Sequence, residues 1–230
     1  MNFFGFRCVL CHQVLSQEKQ GICTTCNKAM KRYVYCGCCG MPTPSYVKHC
    51  GHCTATPPRW DQIVMVSKYD PPLSKLIQQF KFHHLFWLDN TLARLLLLAV
   101  YEARRQHSLH FPEAIFPVPL HHFRQWKRGY NQADLIAKRL AKWLAIPCHS
   151  SFIQRVKHTP PQLGLNAKAR KQNLKHAFRF ENQTFNYRSI ALVDDVITTG
   201  STLNEIAQHF RQLGVENIQV WGLARAFHTE

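Results

Sequence analysis

Near the C-terminus, Ile190-Ala-Leu-Val-Asp-Asp-Val-Ile-Thr-Thr-Gly-Ser-Thr202 places a strand, two carboxylates, a hydroxyl-rich turn and a helix start within thirteen residues. Ile190–Val193 is a continuous apolar run, the pattern of a parallel strand buried on both faces. From Leu203 the apolar positions Leu203, Ile206, Ala207, Phe210 and Leu213 keep helical spacing, and Gly214 is a natural helix stop. A strand that feeds a helix through a short loop is the unit of a parallel sheet, so the fold class is α/β. In such sheets ligands sit at the carboxyl ends of the strands, and the free N–H groups of a helix start take an anion. Thr198, Thr199, Ser201 and Thr202 add hydroxyl donors, and Gly200 lets the backbone come close. Asp194 and Asp195 accept only, which suits the paired hydroxyls of a sugar beside that phosphate. An acidic pair holding a metal is the competing reading. It leaves the Thr-Thr-Gly-Ser-Thr loop without a purpose, and no glycine–lysine P-loop occurs in the chain.

The preceding residues supply the rest of such a sheet. Gln62–Tyr69, Ala114–Val118 and Ile218–Leu223 read as strands. Pro72–Phe82, Leu88–Gln106 and Gln132–Leu144 read as helices, the last with Leu135, Ile136, Leu140 and Trp143/Leu144 turned inward and Asn131 as its N-cap. Mostly parallel strands with helices on both faces are expected. Pro117-Val118-Pro119 leaves the second strand and leads to Arg124 and Arg128, a rigid loop with basic residues that suits pyrophosphate. A structural turn beside a solvated basic face fits the same residues. From Arg155 to Arg179 there is no acidic residue, and Pro160, Pro161 and Gly164 break regularity. That segment, with Lys157 and Arg170, has the character of a lid over a polyphosphate. Cys148 is expected to be a small buried apolar residue.

The first 58 residues are of another kind. Eight cysteines form four C-x-x-C pairs, Cys8/Cys11, Cys23/Cys26, Cys36/Cys39 and Cys50/Cys53, with 11 residues between the first two pairs and 10 between the last two. Two residues between thiolates make a knuckle that aims both sulfurs at one ion, and two knuckles close a tetrahedral zinc site. Sequential sites are the simple assignment, and a cross-braced one, with the first and third pairs sharing an ion, is its rival. Disulfides are the alternative to metal, but they need an oxidising compartment. Cys38 is a substitute for Cys36, His12, His49 and His52 are nearby candidates, and Gly40 and Gly51 sit where positive φ is often needed. A segment so short of apolar runs depends on its metal to fold. Pro57, Pro58 and Trp60 mark its exit, which divides the chain into 1–58 and 59–230.

Charge points to the partner. The chain carries a net +16, and residues 116–189 hold 14 basic against 2 acidic residues. A local excess of this size suits a polyanion, and a solvated face is the plainer reading. The longest apolar stretch, Leu95–Tyr101, falls far short of the roughly 20 residues a membrane span needs. With no basic run ahead of the first apolar residues, a signal peptide is not expected. A cytoplasmic protein without membrane insertion follows as the default.

Ile190–Thr202 resembles the PRPP-binding signature of type I phosphoribosyltransferases at all thirteen positions. By that resemblance Asp194 and Asp195 hold the ribose 2′ and 3′ hydroxyls, and residues 198–202 cradle the 5-phosphate. Taken with the four cysteine pairs, Arg128-Gly-Tyr-Asn-Gln132 and Thr159…Gln162…Arg170…Asn173…Phe178, the whole chain resembles the competence protein F family of phosphoribosyltransferase-like proteins. The resemblance implies a cytoplasmic protein of natural transformation that binds PRPP with Mg²⁺ and carries structural zinc. Single-stranded DNA and the uptake and recombination proteins are its implied partners. Two molecular activities remain open. One is transfer of ribose phosphate to a nitrogen acceptor, with Arg124 and Arg128 on the departing pyrophosphate and Lys157 or Arg170 neutralising its charge. The other is a PRPP-responsive adaptor, in which Trp126, Tyr130, Trp143, Phe152 and Phe178 among the basic residues offer rings for unpaired bases. Trp143 and Phe178 also read as core, which weakens the second.

Overall fold

The computed structural model describes residues 6–15, 21–83, 85–120, 129–156, 177–181 and 185–227. Four parallel strands form the central sheet: β1 (Gln62–Lys68), β2 (Ala114–Pro117), β5 (Ser189–Ile197) and β6 (Asn217–Arg225), in the order β1-β6-β5-β2. A separate antiparallel pair joins β3 (Ile153–Arg155) and β4 (Phe178–Phe180). The helices are α1 (Thr24–Lys28), α2 (Gly51–Ala55), α3 (Leu73–Phe82), α4 (Asp89–His107), α5 (Gln132–Leu144) and α6 (Ser201–Gln212). Asn131 caps α5 as its sequence suggests, accepting from the Ala133 N–H at 3.1 Å.

Alternation along β1 and β5 sends side chains into two cores. On one face Val64, Val66, Ala191, Val193 and Trp221 meet α3, α4 and α5 through Phe80, Leu92, Leu96, Ile136 and Leu140. On the other, Ile63, Phe116, Leu192 and Val220 meet Leu203, Ile206 and Phe210 of α6. Helices therefore cover both faces of the parallel sheet, as expected. Cys8, Leu15, Ile22 and Met30, from the cysteine-rich N-terminus, share the first core with α3 and α4. Among the described residues no helix is long and apolar enough to cross a membrane.

Several local readings need correction. β5 does not stop at Val193 but runs on to Ile197, carrying both carboxylates within the strand. Its partner decides this, because β6 continues alongside and pairs Asp194 with Gly222 and Ile197 with Arg225. Trp143 is 38% exposed, not inward. The buried positions of α5 step through 132/133, 136/137 and 140/141, and 143 falls off that stripe. Phe152 is buried against Phe116 and Phe210, so it offers no face to a base. Phe178 is half-buried against the same core, and Cys148 is half-buried where it bridges to Ile115. Gly51 opens α2 without a positive φ, whereas Gly40 has one, +78°.

Candidate functional site

The thirteen-residue stretch folds as strand, loop and helix start. After Ile197, Thr198 and Thr199 are exposed, Gly200 is buried with φ +75°, and α6 begins at Ser201. The left-handed turn at Gly200 has a second reason to be glycine, because a Cβ there would lie 2.6 Å from the Trp60 ring. Thr199 Oγ1 lies 2.9 Å from Ser201 Oγ and accepts the Ser201 N–H at 3.4 Å, so the hydroxyls gather at the helix start. The Pro117–Pro119 loop leaves the sheet beside the acidic pair, since Pro117 pairs with Val193 and the Val118 N–H donates to the Val193 carbonyl at 2.8 Å. Asn131 Nδ2 holds the loop by donating to the Val118 carbonyl at 3.0 Å. A cavity of about 620 Å³ opens next to it, lined by Pro119, Leu120, Asn131, Asp134, Ser150 and Arg155 among others.

The two carboxylates are not equivalent. Asp195 is paired with Lys81 Nζ at 2.8 Å, both side chains mostly buried. Asp194 accepts the Asp195 N–H at 2.8 Å. Burial first, and then the adjacent Asp195 charge, push the Asp194 carboxyl up to about 7, against the pull of Lys81 and Arg155. Folded Asp194 thus keeps a proton that the unfolded chain, with its carboxyl at 3.8, has released. Stability must then fall as pH rises from about 4 through about 7, because the folded state binds more protons across that window. Asp194→Asn removes the penalty. We expect this variant to exceed the wild type by on the order of a few kcal/mol at pH 8, with the gap closing by pH 4. Guanidinium melts at several pH values measure it, and a gap that does not change with pH defeats the assignment.

The cysteines assemble in chain order. Sγ atoms of Cys8, Cys11, Cys23 and Cys26 all lie within 4.8 Å of one another, and those of Cys36, Cys39, Cys50 and Cys53 do likewise. Separations include 3.6 Å for Cys11/Cys23, 3.5 Å for Cys39/Cys50 and 3.8 Å for Cys36/Cys53. Bonds of about 2.3 Å from a tetrahedral zinc put its sulfurs about 3.8 Å apart, so both sets can hold zinc. This is the sequential arrangement and not the cross-braced one. Cys38 is outside both sets, with its sulfur 3.9 Å from the Trp60 carbonyl oxygen. His12, His49 and His52 belong to neither set.

No family model matches the chain. Competence protein F of Haemophilus influenzae is 58% identical over 98% of this chain and 100% of its own length. The chain belongs to the competence protein F family. The DNA utilization protein YhgH of Salmonella typhimurium is 44% identical over 95% of the chain and 96% of its own. Competence protein ComFC of Bacillus subtilis is more distant, 24% identical over 90% of the chain and 89% of its own. Among solved structures, a purine phosphoribosyltransferase from Pyrococcus horikoshii covers 59% of this chain and 80% of its own at TM-score 0.37 and 20% identity, too loose a likeness to argue from.

In this family member the fold places Asp194, Asp195, Thr198, Thr199, Gly200, Ser201 and Thr202, and likewise Pro117, Val118 and Pro119, at the carboxyl end of the sheet. Arg124, Arg128, Lys157 and Arg170 lie outside the described residues, and so do Trp126 and most of the basic segment after Val156. Sequence reading missed Lys81. As a lysine in the last turn of α3 it looks like an ordinary complement to the helix dipole, and only the docking of α3 aims it at Asp195. Arg155, which sequence reading took only as the start of a basic run, lines the cavity and pulls on Asp194.

Proposed function

We propose that this protein binds PRPP with Mg²⁺ at the carboxyl end of β5 and acts in the cytoplasm on DNA taken up from outside. The observation that carries the PRPP reading is the pairing of Asp194 and Asp195 with a glycine turn and hydroxyl-lined helix start. In that reading the ribose hydroxyls donate to Asp194 and Asp195, and the 5-phosphate accepts from the backbone and hydroxyls of residues 198–202. The pyrophosphate would lie along Pro117–Pro119, with Arg124 and Arg128 as the candidates to offset its charge, and Mg²⁺ would supply further charge neutralisation. The cysteine module, 1–58, carries two structural zinc ions, and 59–230 is a type I phosphoribosyltransferase-like domain.

Support for the biological role comes from relatives named for competence and for DNA utilization. With a net charge of +16, the protein is suited to a polyanion, and single-stranded DNA handed on among competence and recombination proteins is our reading of the partner. Titration calorimetry of the metal-loaded protein with PRPP and Mg²⁺ tests the site. Micromolar binding is expected, and absence of both heat and thermal shift defeats it. Pyrophosphate release dependent on a nitrogen acceptor would make the protein a transferase with Arg128, Lys157 and Arg170 as candidates for its chemistry. Salt-dependent single-strand binding that persists without Asp194 and Asp195 would make it an adaptor.

A further inference from the structure

The two cysteine sets are attached to the rest of the molecule in different ways. Cys8, of the first set, joins the core under α3 and α4, and the Val9 N–H donates to the Gly21 carbonyl at 3.0 Å within that lobe. Against this, the Cys36–Cys39 knuckle of the second set gives two of its carbonyls to side chains outside itself. The Cys38 carbonyl accepts from Trp60 Nε1 at 2.7 Å, and the Cys39 carbonyl accepts from Arg225 Nε at 3.2 Å. Both side chains then reach the phosphate loop. Trp60, 5% exposed, lies so close under Gly200 that no Cβ fits between them. Arg225 turns its Nη1 to the Ile197 carbonyl at 3.2 Å. Ile197 and Gly200 are the two ends of the turn that carries Thr198 and Thr199.

Neighbouring bonds stiffen this bridge. The Ile63 N–H donates to the Gly37 carbonyl at 2.7 Å, which locks β1 to the knuckle. On the α6 side the Arg59 N–H donates to Asn204 Oδ1 at 2.8 Å, and Arg211 pairs with Asp61 at 2.7 Å. Trp60 is therefore held from both flanks. The first set is turned the other way, toward α3 and α4, and its contacts lie in that core.

We propose that the second cysteine set is a positioning element for the phosphate loop, acting through Trp60 and Arg225, so that metal held by Cys36, Cys39, Cys50 and Cys53 sets the conformation of residues 197–202. The physical basis is the knuckle itself. Two sulfurs three residues apart on one ion fix the backbone between them, and with it the direction of the Cys38 and Cys39 carbonyls. When the ion leaves, those carbonyls turn freely and both props lose their anchor. Coupling of this kind is reciprocal, so a ligand that orders the loop must also tighten the second metal. For the identity of that ligand the inference rests on the PRPP reading; the link from metal to loop does not.

The test compares amide hydrogen exchange in peptides spanning 197–204 of the full-length, metal-loaded protein. Cys50→Ser is expected to speed exchange there at least about tenfold, while Cys11→Ser leaves it unchanged. Equal effects of the two variants, or none, overturn the proposal. Because a ligand variant can unfold its lobe, a second arm keeps both metals in place. Trp60→Phe keeps an aromatic ring but loses the N–H and the reach of the indole to Gly200, and Arg225→Met loses both donors. With two metal ions per chain verified by native mass spectrometry, each is expected to loosen the loop several-fold, and Arg225→Lys to restore part of the protection. Normal loop protection in the Trp60→Phe/Arg225→Met double variant overturns the proposal. In the third arm PRPP with Mg²⁺ slows release of one of the two ions to a chromogenic chelator, and in the double variant it does not. A wild type that fails to bind PRPP yet couples loop exchange to the second metal sinks the PRPP reading alone. A wild type that binds PRPP while its loop exchange ignores the metal sinks the coupling alone.

Discussion

Asp194→Asn/Asp195→Asn is expected to abolish measurable PRPP binding, a loss of at least about 100-fold, while leaving the fold intact. Hydrogen bonds to a charged acceptor contribute about 1.5–3 kcal/mol each, and the variant removes the charge from two. Together they amount to about 3–6 kcal/mol, and 1.4 kcal/mol is a factor of ten in affinity. The amides keep the shape of the carboxyls, so the variant separates charge from packing. Lys81 will lose its partner, at 2.8 Å, but its end of α3 can turn toward solvent or toward the ligand phosphates. The wild type carries its own internal control. Because burial and Asp195 push Asp194 up to about 7, the carboxylate must shed a proton before it accepts from the sugar, so affinity should rise as pH increases through 7. Calorimetry at pH 6, 7 and 8, with circular dichroism on each variant, reads both effects. Micromolar binding in the double variant would remove the acidic pair from the site.

Metal removal should have the larger structural consequence. Structural zinc contributes about 10–16 kcal/mol to small zinc modules, comparable to the whole stability of a domain. In this chain the damage would not stay local. Cys8 is fully buried, in one core with Leu92, Leu96 and Phe80, so opening the first set exposes the underside of α3 and α4. A strong chelator is expected to lower Tm by more than about 10 °C and to broaden the transition, with loss of near-ultraviolet dichroism. Two zinc ions per chain should be recovered, and readdition should restore the wild-type melt. Reductant alone should change nothing, because none of the ten cysteines is in a disulfide. An apoprotein with an unaltered melt, or sensitivity to reductant in place of chelator, would count against metal in these sites.

How the site could be read in advance differs from residue to residue. Strand, turn and helix start around Asp194 and Gly200 are adjacent in the chain, so their relation is local and the sequence carries it whole. Paired C-x-x-C motifs are legible for the same reason, since each knuckle closes on itself within four residues. Which knuckles share an ion is a matter of distance across the fold. The cysteine sulfurs settle it at 3.5–3.8 Å between pairs that the chain separates by ten or more residues. Boundaries followed local pattern where a helix carries its own cap, as at Asn131 at the start of α5 and Gly214 after α6, and failed where a neighbour dictates the end. β5 outruns its apolar stretch because β6 supplies hydrogen bonds as far as Arg225.

Sequence by itself thus determined the fold class, the acidic pair, the glycine turn and the eight thiols, because each is a short-range pattern with one dominant physical reading. Only the tertiary structure decided what surrounds them. Lys81 reaches Asp195 from 114 positions away, and Trp60 meets Gly200 from 140. Arg225 spans from Cys39 to Ile197. A lysine at a helix end, a tryptophan after two prolines and an arginine at a strand end each have an ordinary local explanation. Packing of α3 and the knuckle against one end of the sheet gives them another, since the field at a carboxylate and the space beside a glycine are set by whatever the fold brings within a few ångströms.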